Sequence, residues 1–268
     1  MAFEAVGIES LLAVSAFVAV VAFFYSNLGL GGGQLYVPIM VLFFVDLDMK
    51  EIVPLSLCFA FVTMFASAYN HRRKGLVDVR LGANLAAGGL VGAFFGVMFT
   101  STVDGYIIKI AFAALLLIVA TKMMHDMHRG SKEPSDATIS VGTKRKLMGL
   151  GVSVLTGFLV GSFGIGGGVV SVPLIIYVFR VETRRAIGTS AMVGAVLTPA
   201  AFAGYAFQEG VAIHYDIALA LTPLVLLFGL IGSAWGLQKL KTRLVRTIFT
   251  GGLYLAASGM IYSLMSRR

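Results

Sequence analysis

Two apolar stretches, residues 11–45 and 147–179, constrain the fold more than any other feature of this chain. Each is about 33 to 35 residues long. As one helix, either would be a rod of about 50 Å, far longer than the ~30 Å hydrocarbon core of a bilayer. Each is also interrupted by glycines: the first reads "NLGLGGGQLYVPIM" over 27–40, the second "SFGIGGGVVSVPLI" over 162–175. Three successive glycines weaken a helix by roughly 1 kcal/mol each relative to alanine. Both stretches are therefore predicted to break into two helices at the glycine run.

The two stretches are copies. An offset of 135 carries Gly29, Gly31, Gly32, Gly33, Val37 and Pro38 onto Gly164, Gly166, Gly167, Gly168, Val172 and Pro173. Ser56 falls near Ser190 at an offset of 134, Gly75 on Gly210 at 135, and Gly89, Gly92 and Gly96 on Gly229, Gly232 and Gly236 at 140. The repeat spans nearly the whole protein, residues 1–122 and 147–268, joined by a linker over 123–146.

Composition fixes the solvent. Of 268 residues, 58% are hydrophobic and 13% charged, whereas a soluble domain carries about 25% charged residues. The chain reads as an all-α polytopic membrane protein. Six further segments, 51–70, 80–100, 104–122, 186–206, 215–237 and 244–265, each supply the roughly 20 apolar residues of a full span. Glu4 and Glu9 stand where a signal peptide needs a basic region, so the mature chain is read as starting at Met1. The lone Cys58 can close no disulfide within the chain and completes no cysteine zinc site. No cofactor or metal is predicted. The net charge of +8 lies in short clusters between apolar runs, which is membrane topology and not a nucleic-acid surface.

Those clusters orient the repeats. Lys and Arg concentrate in "HRRKGLVDVR" (71–80), the linker, "RVETRR" (180–185) and "KLKTRLVR" (239–246). The N-terminus, "DLDMKE" (46–51), "STVDG" (101–105) and "QEGVAIHYD" (208–216) are poor in basic residues and mostly acidic. By the positive-inside rule the first group is cytoplasmic. Each glycine-broken segment must then enter the membrane and return to its own side, as a helical hairpin. The predicted architecture is an inverted repeat in the cell membrane: two halves, each a glycine-tipped hairpin followed by three transmembrane helices. Both termini are outside, and the linker is cytoplasmic.

Inside a membrane the amides at a hairpin tip cannot be left facing lipid. A return helix starting near Gly33 or Gly168 presents free N–H groups at its N-terminus, and such an end carries roughly half a positive charge and binds anions. Pro38 and Pro173 are read as sitting in the first turns of these helices, where proline is accepted. Two such ends meeting near the midplane form the kind of site used by inverted-repeat transporters. The alternative is that each glycine run is a close-packed turn that binds nothing. No Lys-Ser/Thr follows either run, so a P-loop is excluded. "GGLVGAFFG" and "GLIGSAWG" have the small-xxx-small spacing that lets helix backbones approach closely in lipid, and are read as packing.

The paired G-x-G-G-G-x-x-x-V-P motifs, in a chain of this length, resemble the sulfite exporter TauE/SafE family, the four-spanner sulfonate-uptake type, over essentially the whole sequence. The resemblance implies a secondary transporter, not an enzyme, that moves small sulfur-containing anions such as sulfite, sulfonates, sulfoacetate or thiosulfate. Its partners are then that small anion and the lipid bilayer. The candidate substrate site comprises Gly31, Gly32, Gly33 and Gln34 in the first half and Gly166, Gly167, Gly168 and Val169 in the second. Asn27, Ser56, Ser162, Ser171, Thr189 and Ser190 complete it as polar side chains beside the hairpins or at the start of the next span. Gln34 has Val169 as its counterpart, so the halves are chemically unequal. His71, Arg72 and Arg73 are read as anchors at the inner end of a span, and Lys109 as a residue near an interface. An anion channel of the same fold and a non-transporting membrane scaffold remain alternatives.

Overall fold

The computed structural model describes residues 8–129, 143–208, 210–239 and 242–266. Most of the predicted linker, Glu209 and the segments 1–7 and 267–268, to which the outside termini were assigned, lie outside the described residues. Among the described residues there are ten helices and no strand. They are α1 (Ile8–Ser26), α2 (Gly33–Phe43), α3 (Met49–Arg73), α4 (Val79–Thr102), α5 (Gly105–Arg129), α6 (Thr143–Phe163), α7 (Gly168–Tyr177), α8 (Thr183–Ala206), α9 (Tyr215–Lys239) and α10 (Thr242–Ser266). Six described helices are long and apolar enough to cross a membrane: α1, α3, α4, α5, α8 and α9.

Both long apolar stretches break at their glycine runs. The arms are unequal, with α1 at 19 residues before α2 at 11, and α6 at 21 before α7 at 10. The long arms are thus roughly 28 to 32 Å and the short ones roughly 15 to 16 Å. In each case the short arm doubles back. The Phe17 ring in α1 lies 5.6 Å from that of Phe43 at the end of α2, and the Phe179 ring, just beyond α7, covers Gly149 near the start of α6. The prolines correct the sequence reading. Pro38 and Pro173 are each the sixth residue of their helix, in the second turn. There proline removes the hydrogen bond that the carbonyl four residues earlier would accept. Those carbonyls belong to Gln34 and Val169.

The spans α3 and α8 are the most enclosed and pack against each other. Gly188 near the start of α8 lies against His71 at the far end of α3 and Leu76 just beyond it, while Gly194, further along α8, meets Met64, further back in α3. The two helices therefore run antiparallel. Around them α4 packs on α6 and on α8, α9 packs on α1 and on α3, and α5 packs on α10. Exchanging the two halves of the chain maps these contacts onto themselves, although α10 also packs on α2 and α5 does not pack to the same extent on α7. Start signals are local: Asp48 and Glu51 form a capping box at α3, and the Asp78 carboxylate accepts from Leu81 N–H at 3.0 Å to start α4.

Lipid tails are as apolar as leucine side chains, so helices in a bilayer associate through close packing and not through a hydrophobic drive. The glycine-spaced faces supply it. On the α4/α6 seam Gly92 lies against the Val154 carbonyl, Gly157 against the Gly89 carbonyl and Gly161 against the Ala93 carbonyl. On the α1/α9 seam Gly232 lies against the Phe23 carbonyl. Phe94, Phe95, Leu219 and Leu255 are exposed on the outside, the surface that faces lipid.

A leucine side chain at Gly92 has nowhere to go, and overpacking of this kind costs about 1–3 kcal/mol. Gly92→Leu is therefore expected to lower the melting temperature of the detergent-solubilised protein. Gly151→Ala, in α6 with nothing within 4 Å of the new methyl, is expected to leave it unchanged or raise it slightly. Equal thermal curves for Gly92→Leu and wild type would show that this seam is not tightly packed.

Candidate functional site

The two glycine runs touch. A Cβ built on Gly31 would lie 3.0 Å from Gly166 Cα, and one built on Gly166 would lie 3.0 Å from Gly31 Cα. Next to this contact, Gly33 abuts the Gly164 carbonyl and Gly168 abuts the Gly29 carbonyl. No residue with a side chain fits at that approach. Gly32 and Gly167 stand immediately before α2 and α7 with φ of 83° and 84°, in the left-handed region that glycine enters without steric cost.

From these caps the short helices begin in the same way. Leu35 and Tyr36 N–H donate to the Gly32 carbonyl at 2.8 and 2.9 Å, and Val170 and Ser171 N–H donate to the Gly167 carbonyl at 3.2 and 3.0 Å. The amides of Gly33, Gln34, Gly168 and Val169 come too early in their helices to have an internal acceptor, and no turn or loop backbone bond involves them among the described residues.

Each glycine loop is held by the first span of the other half. Ser56 Oγ in α3 donates to the Gly164 carbonyl at 2.9 Å, and Ser190 Oγ in α8 donates to the Gly29 carbonyl at 3.1 Å. The remaining predicted polar residues are distributed around this clasp. Thr189 Oγ1 accepts from Asp78 N–H at 2.9 Å, steadying the turn before α4. Ser162 Oγ donates to the Gly96 carbonyl at 3.2 Å, on the α4/α6 seam. Ser171 Oγ donates to the Gly167 carbonyl of its own helix start at 3.0 Å. Asn27 Nδ2 donates to the Phe23 carbonyl at 3.1 Å and so closes α1, while its Oδ1 is buried without a partner. The hydroxyls predicted to face substrate are thus engaged with backbone groups, four with carbonyls and Thr189 with an N–H.

Gln34 differs from all of these. It is 1% exposed, yet neither its amide nitrogen nor its amide oxygen has a hydrogen-bond partner. Leaving a buried polar group unmatched costs about 1–3 kcal/mol. Gln34 lines a small cavity of about 10 Å³, barely the room of one water molecule, together with Ile165, Val169 and Val170, with Leu115, Leu116 and Val119 of α5, and with Leu253 of α10. The cavity therefore brings Gln34 and its repeat counterpart Val169 together, at the first turns of α2 and α7. No group of His, Cys, Asp or Glu able to hold a metal occurs among the described residues.

Three polar features have neighbours that sequence reasoning did not supply. His71 is fully buried, with Nδ1 donating to the Ser67 carbonyl at 2.8 Å; Arg72 and Arg73 are exposed at the end of the same helix. Lys109 is 8% exposed within α5 and its Nζ donates to Ser263 Oγ of α10 at 3.2 Å. Glu51 and His214 approach to 3.2 Å, tying the start of α3 to the segment before α9. The partners of Lys109 and Glu51 come from distant parts of the chain, which spacing along the sequence does not report.

The profile of the sulfite exporter TauE/SafE family matches residues 14–260. Among curated relatives, a probable membrane transporter protein of Xylella fastidiosa is 30% identical over 184 residues, covering 68% of this chain and 69% of its own length. The probable membrane transporter protein YdhB of Bacillus subtilis is 24% identical over 239 residues, covering 87% of this chain and 92% of its own. No solved structure matches the chain.

Removing one brace tests the clasp. Ser56→Ala leaves the Gly164 carbonyl without its donor and is expected to destabilise the protein by about 1 kcal/mol, the usual worth of such a bond. Ser190→Ala is expected to behave alike. Ser171→Ala removes only a bond to its own helix and is expected to be close to neutral. A melting-temperature series on the three variants reads this directly; a loss at Ser171 as large as at Ser56 would contradict it.

Proposed function

Because this chain belongs to the sulfite exporter TauE/SafE family, we propose that it is a secondary transporter of a small sulfur-containing anion. The anion binds between the two glycine-rich segments, at the first turns of α2 and α7. The observation that carries this reading is Gln34, a buried amide with no partner, beside the free first-turn amides of both short helices. Helix N-termini attract anions, and an unmatched buried amide is stabilised by a ligand that matches it. Val169 opposite Gln34 makes the site unequal on its two sides. No catalytic step is required of any residue here.

We further infer an inverted repeat, with its pseudo-twofold axis in the membrane plane. Three observations support it: the antiparallel run of α3 and α8, the contact pattern that survives exchange of the halves, and the reciprocal serine braces. In this reading the anion site lies near the midplane, as in other inverted-repeat carriers. A cavity of about 10 Å³ is far too small for a sulfur oxyanion, so substrate passage requires the glycine segments to part.

Two measurements test these readings. Gln34→Leu keeps the volume and removes the unmatched amide, so it is expected to raise the melting temperature while abolishing binding of the best sulfur anion in a detergent binding isotherm. Arg72→Ala, exposed at the rim, is expected to leave affinity unchanged; the opposite pattern would move the site to the cytoplasmic rim. For topology, single cysteines at Asp48 and Thr183 in a Cys58→Ala background are expected to label from opposite sides of the membrane. Labelling from the same side rules out the inverted repeat.

A further inference from the structure

A chain of contacts traces the seam between α3 and α9. His214 Nε2 donates to Glu51 Oε1 at 3.2 Å, Cys58 Sγ lies 3.6 Å from Thr222 Oγ1, Gly229 packs on Ala66, and Asn70 Nδ2 donates to Ser233 Oγ at 2.7 Å. The two helices therefore run in the same direction, and the Glu51–His214 pair closes one end of the seam. The repeat supplies a matching seam between α4 and α8. Asp78 N–H donates to Thr189 Oγ1 at 2.9 Å at one end of it, and Gln208 Nε2 donates to the Val97 carbonyl at 3.1 Å at the other. Those ties carry no charge. At an offset of 135 Glu51 and His214 answer to Ala186 and Val79, so the ionic tie belongs to one face alone. It is the face of the acidic segments 46–51 and 208–216, predicted to be outside.

The carboxylate is oriented for this pairing. Glu51 Oε2 accepts from Asp48 N–H at 2.8 Å, which leaves Oε1 for His214. A carboxylate only accepts, so Nε2 carries the bonding proton and Nδ1 is the nitrogen that titrates. The other described charges on the elements that meet here are engaged elsewhere. Asp48 lies against Gly105 of α5, Lys50 Nζ donates to the Ser101 carbonyl at 3.1 Å, Asp104 accepts from Tyr106 N–H at 2.8 Å, and Asp216 accepts from Ile217 N–H at 2.9 Å.

We propose that protonation of His214 straps this end of the α3/α9 seam shut and that its deprotonation releases the strap. Histidine changes charge between about pH 5 and 8, and a bond between charged groups is roughly twice as strong as a neutral one. The added hold is present while the imidazole is charged and is lost as pH rises. By linkage, opening this end releases a proton to the same face. In the carrier reading, on which this one consequence rests, passage from that face slows as its pH falls.

Cys58 lies two turns behind the pair on the same seam, so the native sequence carries its own reporter of opening. The experiment labels it with a polyethylene-glycol maleimide in detergent-solubilised wild type and in His214→Gln, whose amide keeps a donor for Glu51 and cannot take a charge. The ratio of the two rates cancels the ordinary pH dependence of thiol reactivity. Wild type is expected to label about two- to fivefold more slowly than His214→Gln at about pH 5.5, the range open to a partly exposed ion pair, and at the same rate at about pH 8. Glu51→Gln should lose the same pH dependence. The melting temperature of wild type should exceed that of His214→Gln at the lower pH and converge on it at the higher. A labelling ratio that stays at one across this range, or a Cys58 that reacts in no variant, overturns the strap and leaves the anion reading where it stands. The expected pattern establishes the strap with no anion present, so failure of every sulfur anion to bind would then count against the anion site and not against the strap.

Discussion

The contact between Gly31 and Gly166 is the constraint on which the rest of the structure depends. Two backbones can approach that closely only without side chains, and each run must also turn through the left-handed caps at Gly32 and Gly167 before its short helix can start. Once the runs meet, the other spacings follow. The carbonyls at Gly29 and Gly164 come within reach of Ser190 and Ser56, which places α8 and α3 on either side of the clasp. Those two spans in turn carry the flanking helices. The glycine faces of α4 on α6 and of α9 on α1 continue the same principle outward, with carbonyls packed into the space a Cβ would fill.

Much of this was legible in the sequence because repetition makes weak signals comparable. A glycine run alone is ambiguous, but Gly29, Gly31, Gly32 and Gly33 recurring at one offset, with Ser56 and Ser190 at nearly the same spacing, marks residues that share an environment. Helix breaks at both runs and close packing at the small-residue faces come from that pattern and from chain stiffness. The unequal arms did not, because α1 and α6 run on into polar ends that apolar length does not register. The prolines were placed a turn too early, since proline is tolerated in a second turn where the carbonyl it strands has another environment. The burial of His71 and Lys109 and the isolation of Gln34 are facts about tertiary neighbours, which a single sequence carries only as residue types.

Gln34 stands apart from the other buried polar side chains of the predicted site. Nearly every buried hydroxyl of the predicted site is matched to a backbone carbonyl, as the low dielectric of a membrane interior demands. An unmatched amide at 1% exposure runs against that rule at the point where the first turns of both halves converge. Leucine or valine would fill the position at lower cost, and the second half does carry valine there. The asymmetry therefore has no account in packing. On the proposed anion site it has one in recognition, because two like residues related by the proposed pseudo-twofold axis would present the same group to both ends of a ligand.

The clasp and the seams differ in what it takes to separate them. Along α4/α6 and α1/α9 the glycine contacts are spread over several turns, and parting them gives up dispersion along a whole helix face. Between the two glycine runs the contact is a few backbone atoms, and each run is tied to the first span of the other half by one serine hydrogen bond, worth about 1 kcal/mol net. A motion that opens the cavity thus meets its least resistance at the clasp, with each short helix moving against the long arms while the seams stay closed. The carbonyls of Gln34 and Val169, stranded by Pro38 and Pro173, remove one more intrahelical bond from each short helix at the turn next to the site. The same backbone features that let the two halves meet so closely also leave few bonds holding them at that point.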